Sequence, residues 1–329
     1  MKLPRRNFLH LAAGAAALPA VSRFAWAQAY PTRPITLVLP YAAGGPGDTL
    51  ARMVAQDMSR TFKQQVIVEN IAGAGGTIGS GKVAIAKADG YTLLMNHIGQ
   101  ATSPALYPQL RYDSIKDFEP VGLVAEVPMA FVAKKDFPAR SFADFLAYVQ
   151  SNKDKLTYAH AGVGSASHLC GLLLFSAIKA EVRMVPYRGA GPAMNDLLGG
   201  QVDFMCDQTV NLISHVNAGL IKAYAVTVKD KVPTLPNLPP AGDAGLPGFD
   251  LNIWYAVFAP KTTPKPIIDK LVEGLQAAIK DANVKEMLAG LGANTVSPDR
   301  AQPESLRAHL RQEIEKWGPI IKAANVKAE

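Results

Sequence analysis

The chain runs to 329 residues, 49% hydrophobic and 19% charged, with a formal net charge of +7. That length allows two domains with a core in each. Basic residues never gather into a run interleaved with aromatics, which argues against nucleic acid as a partner, and no stretch supplies the roughly 18 uninterrupted apolar residues of a spanning helix.

Lys2, Arg5 and Arg6 precede a mostly apolar run from Phe8 to Val21, and Ala25-Trp26-Ala27 fits a small-x-small cleavage site. Residues 1–27 therefore read as a secretory signal peptide. The alternative, an amphipathic first helix, lacks a polar face. Arg5-Arg6-Asn7-Phe8-Leu9 also resembles a twin-arginine export signal, although Pro4 and His10 stand where Ser/Thr and Lys are usual, so both export routes stay open. Removing four basic residues with the leader leaves 30 basic against 27 acidic, a charge of +3. The expectation is a soluble protein of the periplasm.

Short β-branched runs then alternate with helical stretches, the signature of βαβ units on a largely parallel sheet. Ile35 to Pro40 reads as a strand, with Asp48 as N-cap of a helix over Thr49 to Thr61. Val66 to Asn70 is a second strand, Thr77 to Ala88 a helix and Tyr91 to Asn96 a third strand. Pro120 to Lys135 reads as extended chain, and Ser141 caps a helix reaching about Asn152. A second series follows: strands at Leu156 to Ala161, Val182 to Tyr187 and Val202 to Asp207, helices at Ser167 to Lys179 and near Pro192 to Leu198. Pro233 to Phe249, with five prolines and three glycines, is a long surface loop. Ile253 to Ala259 is strand-like, Ile267, Leu271, Leu275 and Ile279 stripe one helix, and Leu306, Leu310, Ile314 and Trp317 stripe the last. Two extended segments, near 123–134 and 251–259, can carry the chain between lobes and make a hinge. The resulting division is 28–126 plus 254–329 for one lobe and 127–253 for the other.

Three glycine-rich turns each lead from a strand into a helix: Tyr41-Ala42-Ala43-Gly44-Gly45-Pro46-Gly47-Asp48, Gly73-Ala74-Gly75-Gly76-Thr77-Ile78-Gly79 and Gly162-Val163-Gly164-Ser165-Ala166-Ser167-His168. Glycine lets backbone approach a ligand closely where a helix start exposes unpaired N–H groups, a combination suited to carboxylates. The alternative for any single turn is that its glycines only make a tight turn. Arg188 could clamp a carboxylate or tie its loop to a neighbouring acid. Asp207 could receive a ligand hydroxyl or amine, or cap the following helix.

Other chemistries fit poorly. A dinucleotide fingerprint fails because Leu50 and Ile78 fall where third glycines belong, and Gly164-Ser165-Ala166-Ser167 lacks the closing glycine of a nucleophile elbow. His168 more simply lines a pocket or caps its helix than acts as a base. The histidines form no metal-spaced pair and neither cysteine belongs to a C-x-x-C, so no catalytic residue, metal or cofactor is implied. An oxidising compartment would permit a bridge between Cys170 and Cys206, and two buried free thiols are the simpler reading.

Five stretches, Pro40 to Asp48, Glu69 to Gly79, Tyr158 to Leu169, Val185 to Asp207 and Trp254 to Pro264, together resemble the Bug-type extracytoplasmic receptors of tripartite tricarboxylate transporters. The resemblance implies an α/β two-lobed Venus-flytrap fold and a monomer that delivers a small organic carboxylate to membrane permease subunits. It further implies that backbone and water at Tyr41 to Gly45 and Ala74 to Thr77 hold a carboxylate, and that Ser165, Ser167, His168 and Asp207 belong to the lobe closing over the distal end. The stretches Asn96 to Gln100 and Asp207 to Asn211 match the family pattern less closely. An exported nucleotide-cofactor oxidoreductase and a ligand-sensing receptor subunit are the alternatives.

Overall fold

Strand-forming runs separated by the glycine turns become two lobes that share their longest strand, in a computed structural model describing residues 30–323. The leader expectation, residues 1–27, lies outside the described residues. In the first lobe β1 (Ile35–Leu39) pairs in parallel with β2 (Val66–Asn70) on one side and β3 (Thr92–His97) on the other. Helices α1 (Pro46–Phe62) and α2 (Thr77–Ala84) follow β1 and β2, and α3 (Gly99–Leu106) follows β3. Both glycine turns therefore leave neighbouring parallel strands at the same edge, where ligands of open α/β sheets bind.

The chain then crosses. β4 (Phe118–Lys134) is 17 residues long and pairs antiparallel with β9 (Asn252–Pro260) over Phe118 to Pro128. From Met129 onward it pairs with β7 (Phe204–Gln208) and β8 (Ile221–Val226) instead. The second lobe adds α4 (Phe142–Ser151), β5 (Thr157–His160), α5 (Ala166–Ile178), β6 (Arg183–Pro186), α6 (Ala190–Leu198) and α7 (Thr209–Asn217). β5 pairs in parallel with β6 and β7. After β9 come α8 (Lys265–Lys280), α9 (Ala282–Gly290), β10 (Asn294–Thr295) and α10 (Pro303–Ala323), with β10 antiparallel to β4. The sheet is mixed, a correction to the largely parallel expectation: the β–loop–α units are parallel and the crossing strands are not.

Helix starts follow local chemistry. Ser141 and Asp144 form a reciprocal capping box on α4, as the sequence predicts. Helix α1 begins earlier than expected, with Gly45 at the N-cap and Pro46 in the first turn, where its missing N–H costs nothing. Asp48 is thus not the N-cap; it sits in the first turn and accepts from the Gly44 N–H at 3.1 Å. On α8 the buried stripe runs through Ile268, Leu271, Leu275 and Ile279, with Ile267 only half-buried. Leu306, Leu310 and Trp317 of α10 are buried as their spacing predicts, while Ile314 is half-buried.

Cys170 on α5 and Cys206 on β7 form a disulfide, Cα to Cα 6.2 Å, which corrects the free-thiol reading. Sequence spacing carries no information on this pairing, which follows from α5 packing across the strand. The bridge closes a loop of 36 residues. Constraining the unfolded chain over that length contributes about 3 to 4 kcal/mol. Replacing both cysteines by alanine should lower the melting temperature by several degrees, and reduction of the unaltered protein should produce a similar fall; an unchanged melting temperature in both would show that the bridge adds no stability.

Candidate functional site

Four helices begin around one small cavity between the lobes. Gly45, Pro46 and Gly47 at the start of α1 line it from the first lobe. Ser165, Ala166 and Ser167 at the start of α5, Ala190 of α6 and the α7 N-cap Gln208 line it from the second. Each helix start carries unpaired N–H groups and a partial positive charge. Among the described lining residues there is no lysine or arginine. The cavity measures about 20 Å³, room for about one water.

Its first-lobe wall is aromatic. The Tyr41 ring stacks on His97 at 4.6 Å, and His97 meets Tyr255 of β9 edge-on at 5.5 Å. Asp48 also lines this wall, held by Arg52 and by Asn70. Burial alone would raise the Asp48 pKa, but hydrogen bonds from Arg52, the Gly44 N–H and Asn70 outweigh it and hold the carboxyl below its ordinary value.

The second-lobe wall is built by short-range hydrogen bonds. Ser165 caps α5, its Oγ accepting from the His168 N–H at 3.3 Å, and Ser167 Oγ accepts from the Ala161 N–H at 2.9 Å. Asp207, 1% exposed, accepts from Asn211 Nδ2 at 2.6 Å. Burial pushes its pKa up to about 6 against the hydrogen bonds from Asn211 and the Gln208 N–H. The α7 N-cap is Gln208 and makes no side-chain cap bond, so Asp207 is not the cap that sequence spacing favoured.

A second, more open groove of about 530 Å³ adjoins the cavity at Ala161, which lines both. The expected site residues divide between the two spaces. Tyr41, Ala42, Gly45, Ser165, Ser167 and Asp207 line the cavity, whereas Ala74, Gly75, Gly76 and Arg188 line the groove. Ala43, Gly44, Thr77 and His168 line neither. Thr77 Oγ1 donates to the Ala74 carbonyl and His168 Nδ1 accepts from the Gly164 N–H, so both serve their own turns. The exposed Arg188 side chain makes no ion pair with a described residue, and its carbonyl instead accepts from the Ala42 N–H at 3.2 Å. His97, Tyr255 and Gln208 line the cavity and were missed, because each lies in an apolar stretch or at a strand end that sequence alone reads as core.

The lobes touch through backbone. Tyr107 Oη of the first lobe donates to the Val163 carbonyl of the second at 2.9 Å, and Thr102 Oγ1 donates to the Gly164 carbonyl at 3.1 Å. Gly75, at φ +58°, lies so close that a Cβ there would sit 1.9 Å from the Val163 oxygen. Glycine at this position is what permits the approach.

Three buried histidines surround the site, and each accepts a backbone N–H on Nδ1: His97 from Gly99, His160 from Gly162 and His168 from Gly164. The remaining proton of each neutral ring is therefore on Nε2. Burial drives their pKa values down, to about 3 for His97, about 4 for His160 and about 3 for His168. Groups depressed on folding give stability that is present above their ordinary value near ~6.5 and lost as the pH falls. Asp207, raised on folding, works the other way: its contribution is present in acid and lost as the pH rises through about 6. At pH 5 each histidine costs about 2 kcal/mol relative to neutrality, and the single carboxyl returns only about 1 to 2. Melting temperature should therefore fall between pH 7.5 and pH 5.0, and a flat or rising profile would contradict this.

Residues 50–326 match the family described as the tripartite tricarboxylate transporter family receptor. The fold is similar to that of the periplasmic binding protein BugD, at 47% identity over 91% of this chain and 100% of that one, with a TM-score of 0.89. It is similar to MatC from Rhodopseudomonas palustris with bound malate, at 41% identity over 89% and 100% of the two chains and a TM-score of 0.86. A third structure, an R. palustris protein with adipate, is 32% identical over 91% and 99% of the chains, also with a TM-score of 0.86. With the two lobes, the crossing strands and the quoted turns in one order along the chain, these likenesses make it a Bug-type member of the tripartite tricarboxylate transporter receptor family with the periplasmic-binding-protein fold.

Proposed function

We propose that this protein captures a small organic carboxylate in the periplasm and delivers it to the membrane subunits of a tripartite tricarboxylate-type transporter, without transforming it. The observation that carries the reading is the convergence of four helix starts on one small space with no basic side chain. Helix starts each contribute about 0.3 to 1 kcal/mol to a bound anion, and hydrogen bonds to a charged group about 1.5 to 3 kcal/mol. Together they offset the desolvation of a carboxylate without an arginine. Malate in MatC and adipate in another relative support ligands of this class.

In this reading the lobes, 28–126 with 254–329 and 127–253, hinge where β4 exchanges β9 for β7 and β8. A cavity of about 20 Å³ admits no acid of four carbons, so binding requires the lobes to part and then re-form around the ligand. The Ala74 to Gly76 turn and Arg188 face the adjoining groove and guard its entrance, while Tyr41 to Gly47 and Ser165 to Ser167 supply the donors.

A thermal-shift panel of C4 to C8 mono- and dicarboxylic acids tests the class. At 100 times its dissociation constant a ligand stabilises by about 2.7 kcal/mol, and the bound acid should be recovered chemically unchanged after prolonged incubation. Sugars, cations or amino acids binding while every organic acid fails would sink the proposal.

Gly45→Asp tests the mechanism. The N-cap backbone is extended, aspartate is a favoured N-cap, and a Cβ there makes only ordinary contacts, the nearest at 3.6 Å to Ala190. The variant should keep or raise the melting temperature yet lose at least a hundredfold in affinity, because its own carboxylate occupies the helix start. Arg188→Ala should cost less than tenfold. Abolished binding in Arg188→Ala with normal binding in Gly45→Asp would place the charge on the arginine instead.

A further inference from the structure

The cavity is not uniformly suited to anions. At the end of β7 stands Asp207, 1% exposed, and beside it Gln208, 3% exposed, whose Oε1 has no hydrogen-bond partner among the described residues. Both line the cavity, the Gln208 side chain beside the Tyr255 hydroxyl. Asp207 is stabilised by Asn211 Nδ2 and the Gln208 N–H, both uncharged donors. Arg52 is already engaged by Asp48, and the exposed Arg188 lines the adjoining groove and not this cavity. This corner therefore offers two acceptor groups, one a carboxyl, with no cation to balance them. A plain second carboxylate set here would meet like charge in a space shielded from water, whereas an O–H or N–H would find the acceptors it needs.

Resting on the carboxylate reading above, we infer that Asp207 and Gln208 form a donor-reading subsite, which selects carboxylates bearing a hydroxyl or amino group over their unsubstituted counterparts. A site built around buried acceptors discriminates strongly, since a ligand lacking the donor leaves them unpaired. The raised pKa of Asp207 fits a carboxyl that awaits a donor: it takes up a proton readily when nothing else supplies one.

Isothermal titration with matched pairs at pH 7.5 tests the inference. The pairs are succinate with malate and with aspartate, glutarate with 2-hydroxyglutarate, and benzoate with 3-hydroxybenzoate. In at least one pair the donor-bearing acid should bind tenfold or more tightly. Asp207→Asn, which substitutes an amide donor for one carboxyl oxygen and removes the charge, should shrink that ratio to below threefold by strengthening the plain acid. Gln208→Leu should reduce the ratio severalfold through loss of the second acceptor. Equal affinities within every pair, or a ratio that survives Asp207→Asn in protein shown to be folded by circular dichroism, would overturn the inference while leaving carboxylate capture standing. Failure of all the acids to bind would overturn both.

Discussion

Four helices that start at a single point set the electrostatics of this molecule. The arrangement follows from chain direction: each helix continues the turn that leaves a sheet at the edge facing the other lobe, so the starts of α1, α5, α6 and α7 meet across the gap. Backbone dipoles cannot be neutralised by pairing within their own helix. They are fixed, and they need no reorganisation when an anion arrives. Glycine and serine dominate the turns for the same reason, since longer side chains would hold the two backbones apart.

Around that field the buried polar groups are arranged to stay neutral. His97, His160 and His168 each spend Nδ1 on a backbone N–H within four residues, which fixes the tautomer and orders the turn that contains it. Asp48, the acid nearest the α1 start, is tied to Arg52, so its charge is balanced locally. Asp207 is the exception, with uncharged hydrogen-bond partners only.

Much of the architecture was legible in the residues, and the reasons are local. The Ser141 cap, the α8 and α10 stripes, the glycine turns and the two crossings each depend on a few adjacent positions. The site was legible only in part. Six expected residues line the cavity, all of them on turns or strand ends with a chemical signature of their own. Tyr255 enters from β9, more than 200 residues after Tyr41 with which it shares a wall, and only its place in the Trp254 to Pro264 family stretch sets it apart from core. Gln208 follows directly on the expected strand Val202 to Asp207, and its sequence carries no cap signature for the start of α7. The Gly73 to Gly76 turn reads from sequence as a turn at the sheet edge, and sequence does not say that it opens on the adjoining groove. The disulfide was undecidable from spacing, because it depends on which face of α5 packs on β7.

The crossing strands carry one further detail. Thr227, fully buried at the end of β8, donates its hydroxyl to the Leu251 carbonyl at 2.6 Å and accepts the Met129 N–H at 3.1 Å, while its own N–H bonds the Met129 carbonyl at 2.9 Å. One threonine thus laces together the outgoing and returning connections at the place where β4 changes partners. Two independent tethers would let the halves twist, slide or splay separately. Laced together they form one leaf of a door, and the parting of the lobes proposed above would be confined to something close to one rotational coordinate. In the proposed capture cycle, closure at the helix starts would then reach the outer surface as one angle, a quantity that the proposed membrane partner could read without touching the cargo.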